Sequence, residues 1–218
     1  MISRDAPPGR TAPVALRETL RRDRTGGAAF VARPRPPTTS ERLVWLQRPV
    51  GTSEDVPNTD PTKHVDDIAQ LAKDHGFSVG AAESLTGGAV SSALAMGPGA
   101  ADWYHGCVVS YSPTVKYDVL GVTPGPLVTE RCAVEMVTGA AKVLEVDAAV
   151  STTGAGGPGP EEGKPAGTVH VGLYVRGEVY SRELRLDGDP GEVVERATEV
   201  ALGLLLEAMR SAVTSPDL

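Results

Sequence analysis

Ser84 lies between a short apolar run, Phe77 to Ala82, and a run of small residues, Ala89 to Ala95. The first run reads as a buried strand and the second as helix, so Ser84 falls on a strand-to-helix turn. A serine there is placed to act as a nucleophile, because the N–H groups that open a helix point at whatever it attacks. The plain alternative is an N-cap, in which the hydroxyl only satisfies an orphan N–H. The residues around it weigh against a cap alone. Two glycines at a helix start, Gly87 and Gly88, cost about 1 kcal/mol each relative to alanine. That cost makes sense where the backbone must let a ligand approach closely. Glu83, Thr86, Gly87 and Gly88 are therefore read as substrate-binding, with the N–H groups from Thr86 to Gly88 as donors to an oxyanion.

Acyl chemistry at serine needs a proton acceptor. His64, His75, His105 and His170 stand in ordinary contexts without a convincing Asp partner. The segment Tyr111-Ser112-Pro113-Thr114-Val115-Lys116 offers another base. A lysine whose pKa falls on desolvation can take the proton, with tyrosine as relay. Ser84, Tyr111 and Lys116 are the expected catalytic set, converging although scattered in sequence. The plain alternatives are a solvated lysine and a half-buried tyrosine.

A third feature is Thr153-Gly154-Ala155-Gly156-Gly157, which follows an apolar strand pattern, Asp147 to Thr152. Loops at the carboxyl ends of strands bind ligands in α/β proteins, and repeated glycines expose N–H groups to a phosphate. Gly154, Gly156 and Gly157 are therefore expected to bind substrate, the alternative being a flexible Gly/Pro loop. No Gly-Lys-Ser/Thr follows, so this is not a Walker loop, and no helix follows as in a dinucleotide fingerprint.

The remaining elements must position these groups. Val65, Ile68, Leu71 and Ala72 share a helical face that Gly76 ends. The pattern then gives helix from Thr86 to Met96, strand from Gly106 to Tyr111, and helix from Pro113 to Leu120. Helix follows over Glu130 to Leu144, with Thr129 as N-cap. Thr168 to Val175 and Glu178 to Leu186 flank Arg176-Gly177, a hairpin signal. Pro190 to Arg210 keeps helical spacing. Strands alternating with helices and closing on a hairpin predict a three-layer α/β/α sandwich with a mixed sheet.

Residues 1–60 differ from the rest. They are rich in Pro and Arg and have no sustained apolar period, which predicts a disordered N-terminal extension or sequence upstream of the functional start. The folded domain is expected over 61–212. Residues 1–50 carry ten Arg against four acids, yet the whole chain is −7, so the body is acidic. An acidic body does not attract phosphate backbones, so no specific nucleic-acid partner is expected. Cys107 and Cys132 lack metal-ligand spacing and read as buried thiols in a reducing compartment. No metal, no cofactor, no membrane partner and a cytoplasmic location are expected; a homo-oligomer is left open.

Together AESLTGG, VVSYSPTVK with LGV, and TTGAGGPGPEEGKPAGTVHVGLYV resemble, in order, the motifs of the CinA C-terminal family, over roughly residues 62 to 210. Family members include nicotinamide-mononucleotide deamidases. The resemblance implies a metal-independent serine amidohydrolase that hydrolyses the carboxamide of nicotinamide mononucleotide to nicotinate mononucleotide and ammonia, with Ser84 as nucleophile and Tyr111 and Lys116 as its partners. This chain has Leu85 where the family commonly has Cys, and Pro113 where it commonly has Asn; the glycine loop also differs around Gly156-Gly157. Larger members carry a molybdopterin-binding-like domain that this sequence does not show. The rival readings are a non-catalytic nucleotide-binding or regulatory module of the same fold, and an amidase for another small amide.

Overall fold

The structure, a computed structural model, describes residues 51–52 and 61–214. Its centre is a six-stranded mixed sheet in the order β1-β6-β5-β4-β2-β3. The strands are β1 (Gly51–Thr52), β2 (Val79–Glu83), β3 (Tyr104–Val109), β4 (Ala148–Gly154), β5 (Thr168–Val175) and β6 (Glu178–Arg185). β3, β2 and β4 run parallel, β5 and β6 complete an antiparallel hairpin, and β1 joins β6 in parallel. The helices are α1 (Pro61–His75), α2 (Ala89–Ala95), α3 (Ala100–Trp103), α4 (Pro113–Leu120), α5 (Glu130–Leu144) and α6 (Pro190–Thr214).

Helices cover both faces, as the alternation of elements predicts. β2 and β4 are buried along their whole length, which is the mark of a strand with packing on both sides. Val79, Ala81, Ala148 and Val150 join Ile68 of α1 and Val200, Leu202 and Leu205 of α6 in one core. On the opposite face Ala82 packs with Leu120, Cys132, Met136 and Ala140 of α4 and α5. Small residues let the helices approach. A Cβ on Gly139 of α5 would lie 2.0 Å from the Leu120 carbonyl oxygen at the end of α4, so this glycine sets how closely α4 seats on α5.

Several boundaries differ from the sequence expectation. α2 begins at Ala89 rather than Thr86, because Glu83 reaches forward to cap it, as described below. β3 covers Tyr104 to Val109 rather than Gly106 to Tyr111, and α3 occupies part of the expected break after Gly99. The hairpin is as expected: Arg176 and Gly177 both have positive φ, 49° and 101°, the conformation of a twist-matched two-residue turn. Gly51–Thr52, inside the expected extension, instead adds a short edge strand. The rest of that expectation lies outside the described residues.

Candidate functional site

The three parallel strands bring their carboxyl ends to one edge, and each is followed by a candidate segment. Ser84 follows β2, Tyr111 follows β3, and Gly154 to Gly157 end and follow β4. Ser84 extends the ladder, its N–H donating to the Thr152 carbonyl at 2.9 Å, while the Ser110 N–H donates to the Glu83 carbonyl at 2.7 Å. Regular sheet pairing thus holds the turn between two neighbours.

Glu83 is fully buried, and its carboxylate is occupied. Oε2 accepts from the N–H groups of Gly88 (2.9 Å) and Val90 (3.2 Å), and Oε1 from Ser91 (2.7 Å). Gly88 precedes α2 with φ 110° and offers no side chain of its own. The carboxylate from the preceding strand therefore satisfies the orphan donors and the positive end of the helix. This corrects the expectation that Glu83 binds substrate. Glu83→Gln should lower unfolding free energy by about 1–3 kcal/mol, because the amide keeps one acceptor and turns an NH₂ toward N–H donors. Urea denaturation measures this; an unchanged midpoint would contradict the capping role.

The expectation that the N–H groups from Thr86 to Gly88 are donors to an oxyanion also needs correction. The Gly87 N–H donates to the Ser84 carbonyl at 3.1 Å and the Gly88 N–H to Glu83. Among the described residues, the N–H groups of Leu85 and Thr86 meet no acceptor. Thr86 is buried, and its hydroxyl shares a 2.7 Å hydrogen bond with the Thr152 hydroxyl, which pins the turn to β4. The available donors are therefore the first two N–H groups after Ser84, while the glycines shape the turn.

Lys116 sits on α4, which Pro113 starts. It is only 2% exposed. The ammonium donates to Ser84 Oγ at 3.0 Å and to the Ser110 carbonyl at 2.5 Å, with the Tyr111 carbonyl at 3.5 Å. Burial lowers its pKa by penalising the charged form, against the opposing influence of Cys132, Glu161 and Glu162. This is the desolvated lysine that the sequence called for, touching Ser84 directly.

Tyr111 is placed differently. The residue is 74% exposed, and its carbonyl rather than its hydroxyl lies near Lys116. The expected relay, Ser84 to Tyr111 to Lys116, is replaced by direct contact between Ser84 and Lys116. Tyr111 still lines the pocket.

That pocket has a volume of about 240 Å³ and is lined by Ser84, Lys116, Tyr111, Gly154, Gly156 and Gly157, among others. The loop therefore shares one cavity with the serine. Its glycines differ in role. A Cβ on Gly154 would come 2.4 Å from the Thr168 carbonyl oxygen, so close approach of β5 requires that glycine whatever binds in the pocket. A Cβ on Gly156 would meet only Leu85 Cβ, at 4.0 Å. Among the described residues, the N–H groups of Gly156 and Gly157 have no acceptor.

Sequence reasoning missed the Ser110 carbonyl and Glu162, and it placed Thr153 in the candidate loop without assigning its contact. The Ser110 carbonyl anchors the ammonium. Thr153 donates its hydroxyl to the Leu127 carbonyl at 2.9 Å, tying the wall before α5 to β4. Glu162 accepts from the N–H groups of Leu127 (2.7 Å) and Val128 (2.8 Å). The first acts through its backbone and the others through contacts distant in sequence, so residue type gave no signal. Among the described residues, no group of His, Cys, Asp and Glu is gathered to hold a metal ion, and no helix is long and apolar enough to cross a membrane.

Known proteins share the fold of this domain. A CinA-like protein of Dictyoglomus turgidum is 36% identical over 144 residues, which cover 63% of this chain and 35% of the relative. A putative competence-damage inducible protein of Clostridium kluyveri is 38% identical over 149 residues, 66% of this chain and 36% of the relative. The chain thus matches little more than a third of the length of these curated relatives. Among solved structures, a CinA superfamily protein from Klebsiella pneumoniae superposes with a TM-score of 0.67 at 31% identity, covering 70% of this chain and 99% of that one. The competence/damage inducible protein CihA from Agrobacterium tumefaciens gives 0.66 at 30% identity, with 70% and 96% covered. The family model for the CinA C-terminal domain matches residues 61–209, and the chain belongs to that family.

Proposed function

We propose that this domain hydrolyses the carboxamide of nicotinamide mononucleotide to nicotinate mononucleotide and ammonia through an acyl-Ser84 intermediate. The observation that carries the reading is the buried Lys116 amine, 3.0 Å from Ser84 Oγ in an open pocket. Neutral Lys116 takes the Ser84 proton as Oγ attacks the amide carbon. The oxyanion forms against the N–H groups of Leu85 and Thr86. Lys116 then protonates the amide nitrogen, the C–N bond breaks, and ammonia leaves. Water attacks the ester, giving one proton to Lys116. Ser84 recovers that proton as the acid is released, and the acid gives its remaining proton to solvent or to the ammonia to become the carboxylate. The N–H groups of Gly156 and Gly157 take the phosphate.

The pocket, about 240 Å³, is smaller than most ligand sites, which run about 300–1,000 Å³. That favours a mononucleotide or smaller amide over a dinucleotide. The test is ammonia release from nicotinamide mononucleotide, nicotinamide riboside and nicotinamide. The proposal expects the mononucleotide to be turned over with the highest kcat/KM. Preference for an amide without phosphate favours the other-amidase reading, and binding without ammonia favours the non-catalytic module.

Two substitutions probe the assignments. Gly156→Val places a branched side chain in open space beside Leu85, so the fold should tolerate it. KM for the mononucleotide should rise about tenfold, and KM for the riboside much less. An equal rise for both would remove the phosphate role from the loop. Tyr111→Phe deletes a hydroxyl that touches neither Ser84 nor Lys116, so kcat should stay within about threefold of wild type. A loss of a hundredfold or more in kcat would restore Tyr111 to the proton path.

A further inference from the structure

Only two charged side chains line the pocket among the described residues, Lys116 and Glu161. Lys116 must be neutral to act as a base, which leaves the Glu161 carboxylate as the charge that a substrate meets. We infer that Glu161 selects substrates with a cationic ring beside the scissile carboxamide, its carboxylate facing the positive charge of a pyridinium. The inference rests on the amidohydrolase reading above and adds the charge of the group that is recognised.

Three observations support it. First, the backbone around Glu161 is fixed. Its N–H donates to the Lys164 carbonyl at 3.0 Å and its carbonyl accepts from the Lys164 N–H at 2.8 Å. The next residue, Glu162, is clamped to Leu127 and Val128 through its carboxylate. Second, the two adjacent acids have different employment. Glu162 is occupied with backbone donors, whereas the Glu161 carboxylate has no hydrogen bond or ion pair among the described residues. Third, Glu161 lies close enough to Lys116 to favour its charged form. Glu162 and Cys132 act on Lys116 in the same direction, but of these groups only Glu161 lines the pocket beside Ser84 and Lys116. An unpaired carboxylate on a pocket rim attracts a cation and gives a neutral ring no such gain.

Binding to protein carrying Ser84→Ala separates recognition from turnover. Nicotinamide mononucleotide and its reduced dihydropyridine form share ribose, phosphate and carboxamide but differ in ring charge. Adding Glu161→Gln should weaken the oxidised, cationic nucleotide about three- to fivefold, the scale of a solvent-accessible ion pair. The reduced form should be unaffected, and Glu161→Asp should keep the preference. Calorimetry reads both constants. Equal weakening of the two forms, or no change in either, would overturn the role of Glu161 and leave the amidase reading intact. If Ser84→Ala protein with Glu161 in place binds neither nucleotide, the substrate reading falls and takes this inference with it.

Discussion

Ser84→Ala is expected to abolish ammonia release from nicotinamide mononucleotide, with kcat falling on the order of 10⁴-fold or more. The size follows from the proposed mechanism: without Oγ no acyl-enzyme forms, and the remaining donors can only bind the substrate and polarise its carbonyl. Stability should change little. Ser84 is held by main-chain hydrogen bonds, its N–H donating to the Thr152 carbonyl and its carbonyl accepting from the Gly87 N–H, which alanine keeps, and Lys116 retains the Ser110 carbonyl. The lost hydrogen bond is worth about 1 kcal/mol, a shift of a few degrees in Tm. Steady-state kinetics and a thermal melt on one preparation separate the two effects. Turnover near the wild-type rate would reduce Ser84 to a turn residue.

Lys116→Met should be the second large loss, about 10³-fold or more in kcat, accompanied by unchanged or increased stability. Methionine preserves the length and apolar packing of the side chain and removes a charge that burial disfavours. Replacing a buried charge with an apolar residue of similar volume is often neutral or stabilising, by up to about 4 kcal/mol. The unpartnered Ser110 carbonyl offsets part of this, about 1–3 kcal/mol.

The pH dependence has a definite sign. The folded-state pKa of Lys116 lies below its unfolded value, so wild-type stability is greatest above the unfolded pKa. It falls as pH drops through the folded one. The advantage of Lys116→Met should therefore grow toward low pH and disappear in strong base. In wild type, kcat/KM should rise with pH through the lowered lysine pKa, where neutral amine becomes available. Cys132, Glu161 and Glu162 face this group and hold that rise at higher pH than burial alone would. A destabilised Lys116→Met protein that keeps activity would contradict both halves of the argument.

The parts of this fold visible in the sequence were those with local causes. Apolar runs bounded by glycine marked β2 and β4, and the helical stripe of α6 was continuous. The start of α6 carries its own signal. Asp189 accepts from the N–H groups of Gly191 and Glu192, while the Glu192 carboxylate accepts from the Asp189 N–H. This reciprocal cap is written as Asp-Pro-Gly-Glu. The start of α2 was misplaced because its cap comes from Glu83, on the preceding strand, rather than from the residue before the helix.

The site divides the same way. The approach of Lys116 to Ser84 was legible because a proposed serine nucleophile without histidine calls for an unusual base, and lysine meets that need only when buried. Tyr111 carried the right residue type but ends on the solvent side, since β3 stops at Val109 and the chain turns outward before α4. Side-chain direction after a strand depends on where pairing ends, and the sequence placed that end two residues late. Glu161 and Glu162 looked alike in sequence; tertiary contact gives one a structural partner and leaves the other facing the pocket.

The central claim is that Ser84 is acylated by the substrate. Wild-type protein mixed with nicotinamide mononucleotide, quenched in acid within the first turnovers and digested, gives the direct measurement by peptide mass spectrometry. The account predicts that the peptide containing Ser84 gains the mass of the nucleotide less ammonia, that hydroxylamine removes the adduct, and that Ser84→Ala protein never shows it. Sustained ammonia release with no adduct at Ser84, or an adduct carried by another residue, would contradict it.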